Sequence, residues 1–126
     1  MAIVLVVDDE PDALEILQWV LQDWGHEVHT AGAAPAALDA GERCHPDVLI
    51  TDFFLGGDLS GADVIRLMRE RNPQLFVILM TGMRKEELRR DLRDLPDIPV
   101  VQKPFSYQAI RSLIDQRSGH PATAGA

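Results

Sequence analysis

Five short apolar runs, each followed by a stretch with helical spacing, constrain this chain more than any other feature. The runs fall at residues 3–7, 27–31, 47–51, 75–81 and 99–102. Four are nearly unbroken, as expected of strands covered on both faces. The fifth, His26-Glu27-Val28-His29-Thr30-Ala31, alternates and suits a sheet edge. The intervening segments place apolar residues three and four apart. The first has Leu14, Leu17, Leu21 and Trp24, and the second is alanine-rich from about Pro35 to Glu42. The third has Val64, Ile65 and Met68, the fourth Leu88, Leu92 and Leu95 amid charges, and the fifth Ile110, Leu113 and Ile114. Helix starts at Glu10-Pro11-Asp12 and Ser106 agree, as do stops at Gly25, Asn72-Pro73 and Leu95-Pro96. Strict alternation predicts an α/β fold, a parallel sheet with five helices on its two faces.

At 126 residues the chain is expected to form one domain over residues 1–118, with 119–126 as a disordered tail lacking periodicity. No apolar run approaches the roughly 20 residues of a membrane span. Met1-Ala2-Ile3 enters the first strand at once, without a basic region followed by an apolar stretch, so no secretory signal is expected. A single cysteine, Cys44, forms no internal disulfide, so a cytoplasmic setting is expected and Cys44 reads as a packing residue. The net charge of −8 argues against direct nucleic acid binding. Its distribution is uneven: residues 1–63 carry net −12, and residues 64–126 carry net +4. The basic excess gathers between Arg84 and Arg93, where interleaved acids also suit a solvated helix face.

The strand ends carry the chemistry. Asp8 and Asp9 close the first run, Asp52 the third, Thr81 the fourth, and Lys103, followed by Pro104, the fifth. In a doubly wound sheet of flavodoxin-like strand order 2-1-3-4-5, these ends meet at one crevice. Three carboxylates in one pocket repel, and a hard divalent cation such as Mg2+ resolves the conflict. Taken alone, Asp8, Asp9 and Asp12 would be explained by the positive end of a helix dipole. Thr81 alone would be a β-branched strand terminus. The ordered set of acid pair, central acid, hydroxyl beside Gly82, and Lys103-Pro104-Phe105 is the specific signal.

That set resembles the receiver domain of two-component response regulators, over roughly residues 2–117. The resemblance implies a phosphorylation-dependent switch in which Asp52 accepts a phosphoryl group from the phosphohistidine of a sensor histidine kinase or histidine phosphotransfer protein. It implies Mg2+ held by Asp8, Asp9, Asp52 and the backbone carbonyl of Phe54, with Thr81 as switch hydroxyl and Lys103 as phosphate-binding lysine. Such a domain catalyses only its own phosphorylation and dephosphorylation. Its output would be a downstream protein bound at the face made by the fourth helix, fifth strand and fifth helix.

The chain departs from the family pattern in two places. Val100 stands where many members have an aromatic three residues before the lysine. The loop Phe53–Gly61 has Gly56 where a proline is common, and reaches its closing Gly61 one residue late. Phe53 is expected to pack inward. Two alternatives are a receiver cut from a longer kinase or regulator, and a phosphatase of the haloacid dehalogenase type. The second fits poorly, because Asp8-Asp9-Glu10 is not the Asp-x-Asp of those enzymes. Neither a Gly-x-Gly-x-x-Gly nor a Gly-x-x-x-x-Gly-Lys-Ser/Thr nucleotide motif is present. The four histidines, His26, His29, His45 and His120, lack metal-ligand spacing.

Overall fold

A computed structural model describes residues 1–118; the predicted tail at 119–126 lies outside the described residues. Five strands, β1 (Ile3–Val7), β2 (Glu27–Ala31), β3 (Val48–Asp52), β4 (Phe76–Thr81) and β5 (Val100–Gln102), form one sheet. All pairings are parallel and the order is β2-β1-β3-β4-β5. Four α-helices connect them: α1 (Pro11–Asp23), α2 (Ala34–Cys44), α3 (Gly61–Arg71) and, after β5, α4 (Tyr107–Ser118).

Both faces of the sheet are covered, which is why its inner strands read as continuous apolar runs. Leu5, Val7, Leu49, Val77 and Leu79 face one core with Ala34, Ala37 and Ala40 of α2 and Val64, Ile65 and Met68 of α3. Val4, Val6, Val48, Ile50, Ile78 and Met80 face the other, with Leu17 and Leu21 of α1 and Ile110 and Ile114 of α4. The small residues of α2 let it lie close to α3, where a Cβ on Gly41 would stand 2.7 Å from the Met68 methyl. β2 has a partner on one side only, as expected of an edge strand, and Glu27 and Thr30 in it are exposed.

The expected fourth helix is the one element that fails to form. Among the described residues, the connection from β4 to β5 holds a single 3₁₀ turn at Lys85–Leu88, followed by further turns. The leucine spacing still reports burial, since Leu88, Leu92 and Leu95 all enter the core beside α3. An α-helix would bond the Leu95 N–H to the carbonyl of Asp91, four residues back. Instead Arg66, reaching over from α3, donates from Nη2 to that carbonyl, and the Leu95 N–H turns to Leu92 O at 2.9 Å. Pro96 then closes off any continuation.

Arg66 makes further bonds. Its Nε and Nη2 grip both carboxylate oxygens of Asp94, at 2.8 and 3.0 Å, and its Nη1 reaches Asp63 at 3.1 Å. Arg69, one turn on, pairs with Asp97 at 3.3 Å and donates to the Leu75 carbonyl. Tertiary hydrogen bonds to α3 thus set the path of residues 91–97, where a helix would have used its own backbone.

Candidate functional site

The parallel register brings the chemistry-bearing strand ends together. Val7, the residue before Asp8, pairs with Thr51, the residue before Asp52. Asp52 in turn pairs with Met80, the residue before Thr81. Thr81 pairs with Gln102, and the Lys103 N–H donates to the Thr81 carbonyl at 2.7 Å. The Lys103–Pro104 bond is cis.

Asp8, Asp9 and Asp52 each present a carboxylate oxygen, and all three oxygens lie within 4.8 Å of one another. Asp8 is fully buried, Asp52 nearly so, and Asp9 is exposed. Oxygens of Asp8 and Asp52 already accept hydrogen bonds. The Glu10 N–H donates to Asp8 Oδ1 at 3.0 Å, and the Phe53 N–H to Asp52 Oδ1 at 2.9 Å. Lys103 Nζ reaches Asp52 Oδ2 at 3.2 Å and Asp8 Oδ2 at 3.4 Å.

Three carboxylates against one ammonium leave an excess of two negative charges when all four groups are ionised, which matches a divalent cation. Ligand oxygens on opposite sides of Mg2+ stand about 4.2 Å apart, given its Mg–O distance of roughly 2.1 Å. A spread of up to 4.8 Å needs only a small side-chain adjustment to reach that figure. The donor set therefore fits a hard divalent ion.

Electrostatics of the cluster follow from burial. Burial pushes the Asp52 carboxyl above the ordinary aspartate range, with Lys103 pulling it back and Asp8 pushing it further up. Lys103 is lowered by its own burial, but the two carboxylates outweigh that and hold it above the usual lysine value. Each group thus keeps its proton to a higher pH than it would in water.

The remaining sequence candidates are placed differently. Thr81 is fully buried, and its hydroxyl oxygen accepts the Met83 N–H at 2.9 Å within the turn after β4. Phe53 packs inward as expected, while Phe54 is exposed and meets the Phe53 ring edge-on, centroids 5.0 Å apart. Val100 is half-buried beside the core shared by α2 and α3.

One site-shaping residue was read from the sequence only as a loop terminus. Gly61 opens α3 directly over the end of β3, and a Cβ there would sit 2.1 Å from the Asp52 carbonyl oxygen. Its N–H donates to Phe53 O at 2.7 Å. Gly56 has φ +76°, a left-handed conformation that favours glycine, and a Cβ on it would lie 3.5 Å from an Asp9 oxygen. Glycine in the loop was visible in the sequence; the close approach at Gly61 was not, because it joins two elements through space. His45, at φ 49°, ends α2, His29 pairs with Glu27 at 2.8 Å, and His120 lies outside the described residues.

Comparison with known proteins agrees with this geometry. The family model described as response regulator receiver domain matches residues 4–115. The probable transcriptional regulatory protein TcrX of Mycobacterium tuberculosis is 38% identical over 107 residues, covering 85% of this chain and 45% of that protein. The chain thus spans about half the length of TcrX. Among solved structures, a response regulator receiver domain protein of Clostridium thermocellum superposes with a TM-score of 0.79 at 30% identity, covering 94% of this chain and 98% of that one. TrrA of Thermotoga maritima, a response regulator solved in complex with Mg2+ and beryllium fluoride, gives 0.80 at 30% identity, covering 92% of this chain and 98% of its own. An acid cluster at the carboxyl ends of a β2-β1-β3-β4-β5 sheet, and a family match over most of the chain, place it in the response regulator receiver domain family.

Proposed function

We propose that Asp52 is the phospho-acceptor of a signalling switch, taking a phosphoryl group from the phosphohistidine of a sensor histidine kinase or histidine phosphotransfer protein. One observation carries this reading. The Asp52 carboxylate is nearly buried, oriented at one oxygen by the Phe53 N–H, and faces Lys103 with the other. In the transfer, an Asp52 oxygen forms the new bond to phosphorus as the bond from phosphorus to the donor imidazole nitrogen breaks. The imidazole leaves with the electron pair and is protonated. The product is an aspartyl phosphate.

The chain's own part is positioning and charge neutralisation. Asp8, Asp9, Asp52 and the Phe54 carbonyl are the proposed ligands of Mg2+, which when bound would neutralise charge on the transferring group. Lys103, already between Asp8 and Asp52, would shift its ammonium onto a phosphoryl oxygen. The Thr81 hydroxyl accepts from Met83, which leaves its own proton free to donate to another such oxygen. The domain is proposed to turn over only its own phosphate, to lie in the cytoplasm, and to act through a protein partner without binding nucleic acid or membrane. Among the described residues, no helix is long and apolar enough to cross a membrane. The output surface is proposed to comprise the turns after Thr81, β5 and α4.

Incubation with Mg2+ and acetyl phosphate, followed by intact mass and peptide mapping, tests the acceptor. One phosphoryl group on the peptide containing Asp52 is expected. Label elsewhere, or none, would remove the reading.

The raised Asp52 value adds a pH prediction. Mg2+ should bind less tightly as pH falls, and the loss should begin above the ordinary aspartate range, because Asp52 takes up a proton there. Equivalently, binding near that pH should release protons. Titration calorimetry in buffers of different ionisation enthalpy reads this directly; a pH-independent affinity down to the normal aspartate range would contradict it.

A further inference from the structure

Residues 84–97 follow Thr81, and their second half, from Asp91 to Asp97, is held by Arg66 and Arg69 of α3, which itself starts against Asp52. α3 begins with no slack: the Gly61 N–H is bonded to the Phe53 carbonyl, and there is no room for a Cβ over the Asp52 carbonyl. The first turn is locked by a reciprocal cap, in which Ser60 N–H donates to Asp63 Oδ2 at 2.9 Å and Asp63 N–H donates to Ser60 Oγ at 3.2 Å. The other oxygen of the same Asp63 accepts from Arg66 at 3.1 Å. Arg66 then takes both oxygens of Asp94 and the carbonyl of Asp91. Hydrogen bonds, joined through the Ser60–Gly61 peptide link, thus lead from Phe53, next after β3, to the segment beyond Thr81.

We infer that Arg66 is a positioning residue that couples the acceptor end of β3 to residues 84–97. The inference rests on the phosphorylation reading above and adds the route of its regulation. Val100 offers no ring to follow a movement of Thr81, so this chain lacks the means of coupling that an aromatic there would provide. The Arg66 clasp supplies a discrete element, made or broken, whose state depends on where α3 sits. A bidentate guanidinium–carboxylate pair suits that role because it is directional and is lost on a small displacement. Any shift of Phe53 or Asp52 on phosphorylation moves the start of α3, and a helix transmits it along its length as a rigid rod.

The test uses the whole chain, with Mg2+ and beryllofluoride as the phosphoryl mimic, read by amide chemical shifts and hydrogen exchange. In the parent protein, beryllofluoride should shift amides at residues 8–10, 52–54 and 84–97. In Arg66→Met, which keeps an apolar stem in place of the Arg side chain, the response at 8–10 and 52–54 should persist. The response at 84–97 should fall about threefold or more, within the usual range for residues that modulate coupling. Asp94→Asn, which retains the bond from Arg66 to the Asp91 carbonyl, should give a smaller loss. The inference fails if Arg66→Met leaves the response at 84–97 at parental size. It also fails if exchange at 84–97 rises equally with and without beryllofluoride, the signature of a purely structural tie. Absence of any response at 8–10 and 52–54 in the parent would instead bring down the phosphorylation reading, and this inference with it.

Discussion

Asp52→Asn should abolish phosphoryl acceptance while leaving a folded protein at least as stable as the parent at neutral pH. The first half follows from nucleophilicity, since the amide has no anionic oxygen with which to attack phosphorus. The second half follows from linkage. The folded-state value of Asp52 lies above its unfolded value, chiefly through burial, so the folded state binds that proton more tightly than the unfolded chain does. Ionised Asp52 is therefore a cost to the fold, present in full above the folded value and absent below the unfolded one. Asparagine removes that cost and keeps an oxygen for the Phe53 N–H. Lys103 retains Asp8 as a partner. The stability gain over the parent should shrink as pH falls through the Asp52 titration. Urea denaturation at neutral and mildly acidic pH measures it, and a clear loss of stability at neutral pH would show that the Asp52–Lys103 pair outweighs burial. Intact mass after acetyl phosphate measures acceptance; a labelled Asn variant would place the acceptor elsewhere.

Gly61→Ala should be the most damaging single methyl in the loop. Its Cβ would meet the Asp52 carbonyl oxygen at 2.1 Å, its carbon at 3.0 Å and Thr51 Oγ1 at 3.1 Å. Two of these atoms belong to the main chain of β3, which is hydrogen-bonded to strands on both sides and cannot yield cheaply. Relief must come from lifting α3 away, at the expense of the Gly61 N–H bond to Phe53 and the packing of Val64 and Ile65. Overpacking of this kind costs about 3 kcal/mol. A lifted α3 also releases the Phe53 carbonyl beside Asp52, and a misplacement of about 1 Å at a reacting group can slow the chemistry roughly 100-fold. Gly57→Ala is the matched control, because a Cβ there meets nothing within 4 Å. It should change stability by less than about 0.5 kcal/mol. Chemical denaturation and phosphorylation rate, measured on both variants, decide the matter; equal behaviour of the two would refute the steric account.

The legible parts of the fold were those with a strong local signature. β1, β3 and β4 are covered on both faces and are nearly pure apolar runs, while β2, at the edge, mixes buried Val28 and Ala31 with exposed Glu27 and Thr30. The bounds of β1 and β2 match expectation, and those of β3 and β4 differ from it by one residue. The acid pair and Asp52 were legible for a related reason, since carboxylates ending buried strands point to a crevice. The fourth helix misled because Leu88, Leu92 and Leu95 satisfy helical spacing and are indeed buried. Helical spacing reports which side chains face the core, and a series of turns can meet the same requirement. The last turn of such a helix would have used the Asp91 carbonyl, which a guanidinium 25 positions away in sequence bonds here.

The amino-acid order by itself pointed to the layer architecture and gave the identity of the titratable groups at the strand ends, because burial pattern and residue chemistry are local properties; the strand order entered only as an expectation, which the sheet pairing bears out. The tertiary structure alone decided how those groups are paired. It set Lys103 between Asp8 and Asp52, turned the Thr81 hydroxyl toward the Met83 amide, and seated α3 against the Asp52 carbonyl. It also gave residues 91–97 to Arg66 and Arg69. These are contacts between segments far apart in the chain, fixed by distances of a few ångströms that exist only once the sheet has assembled.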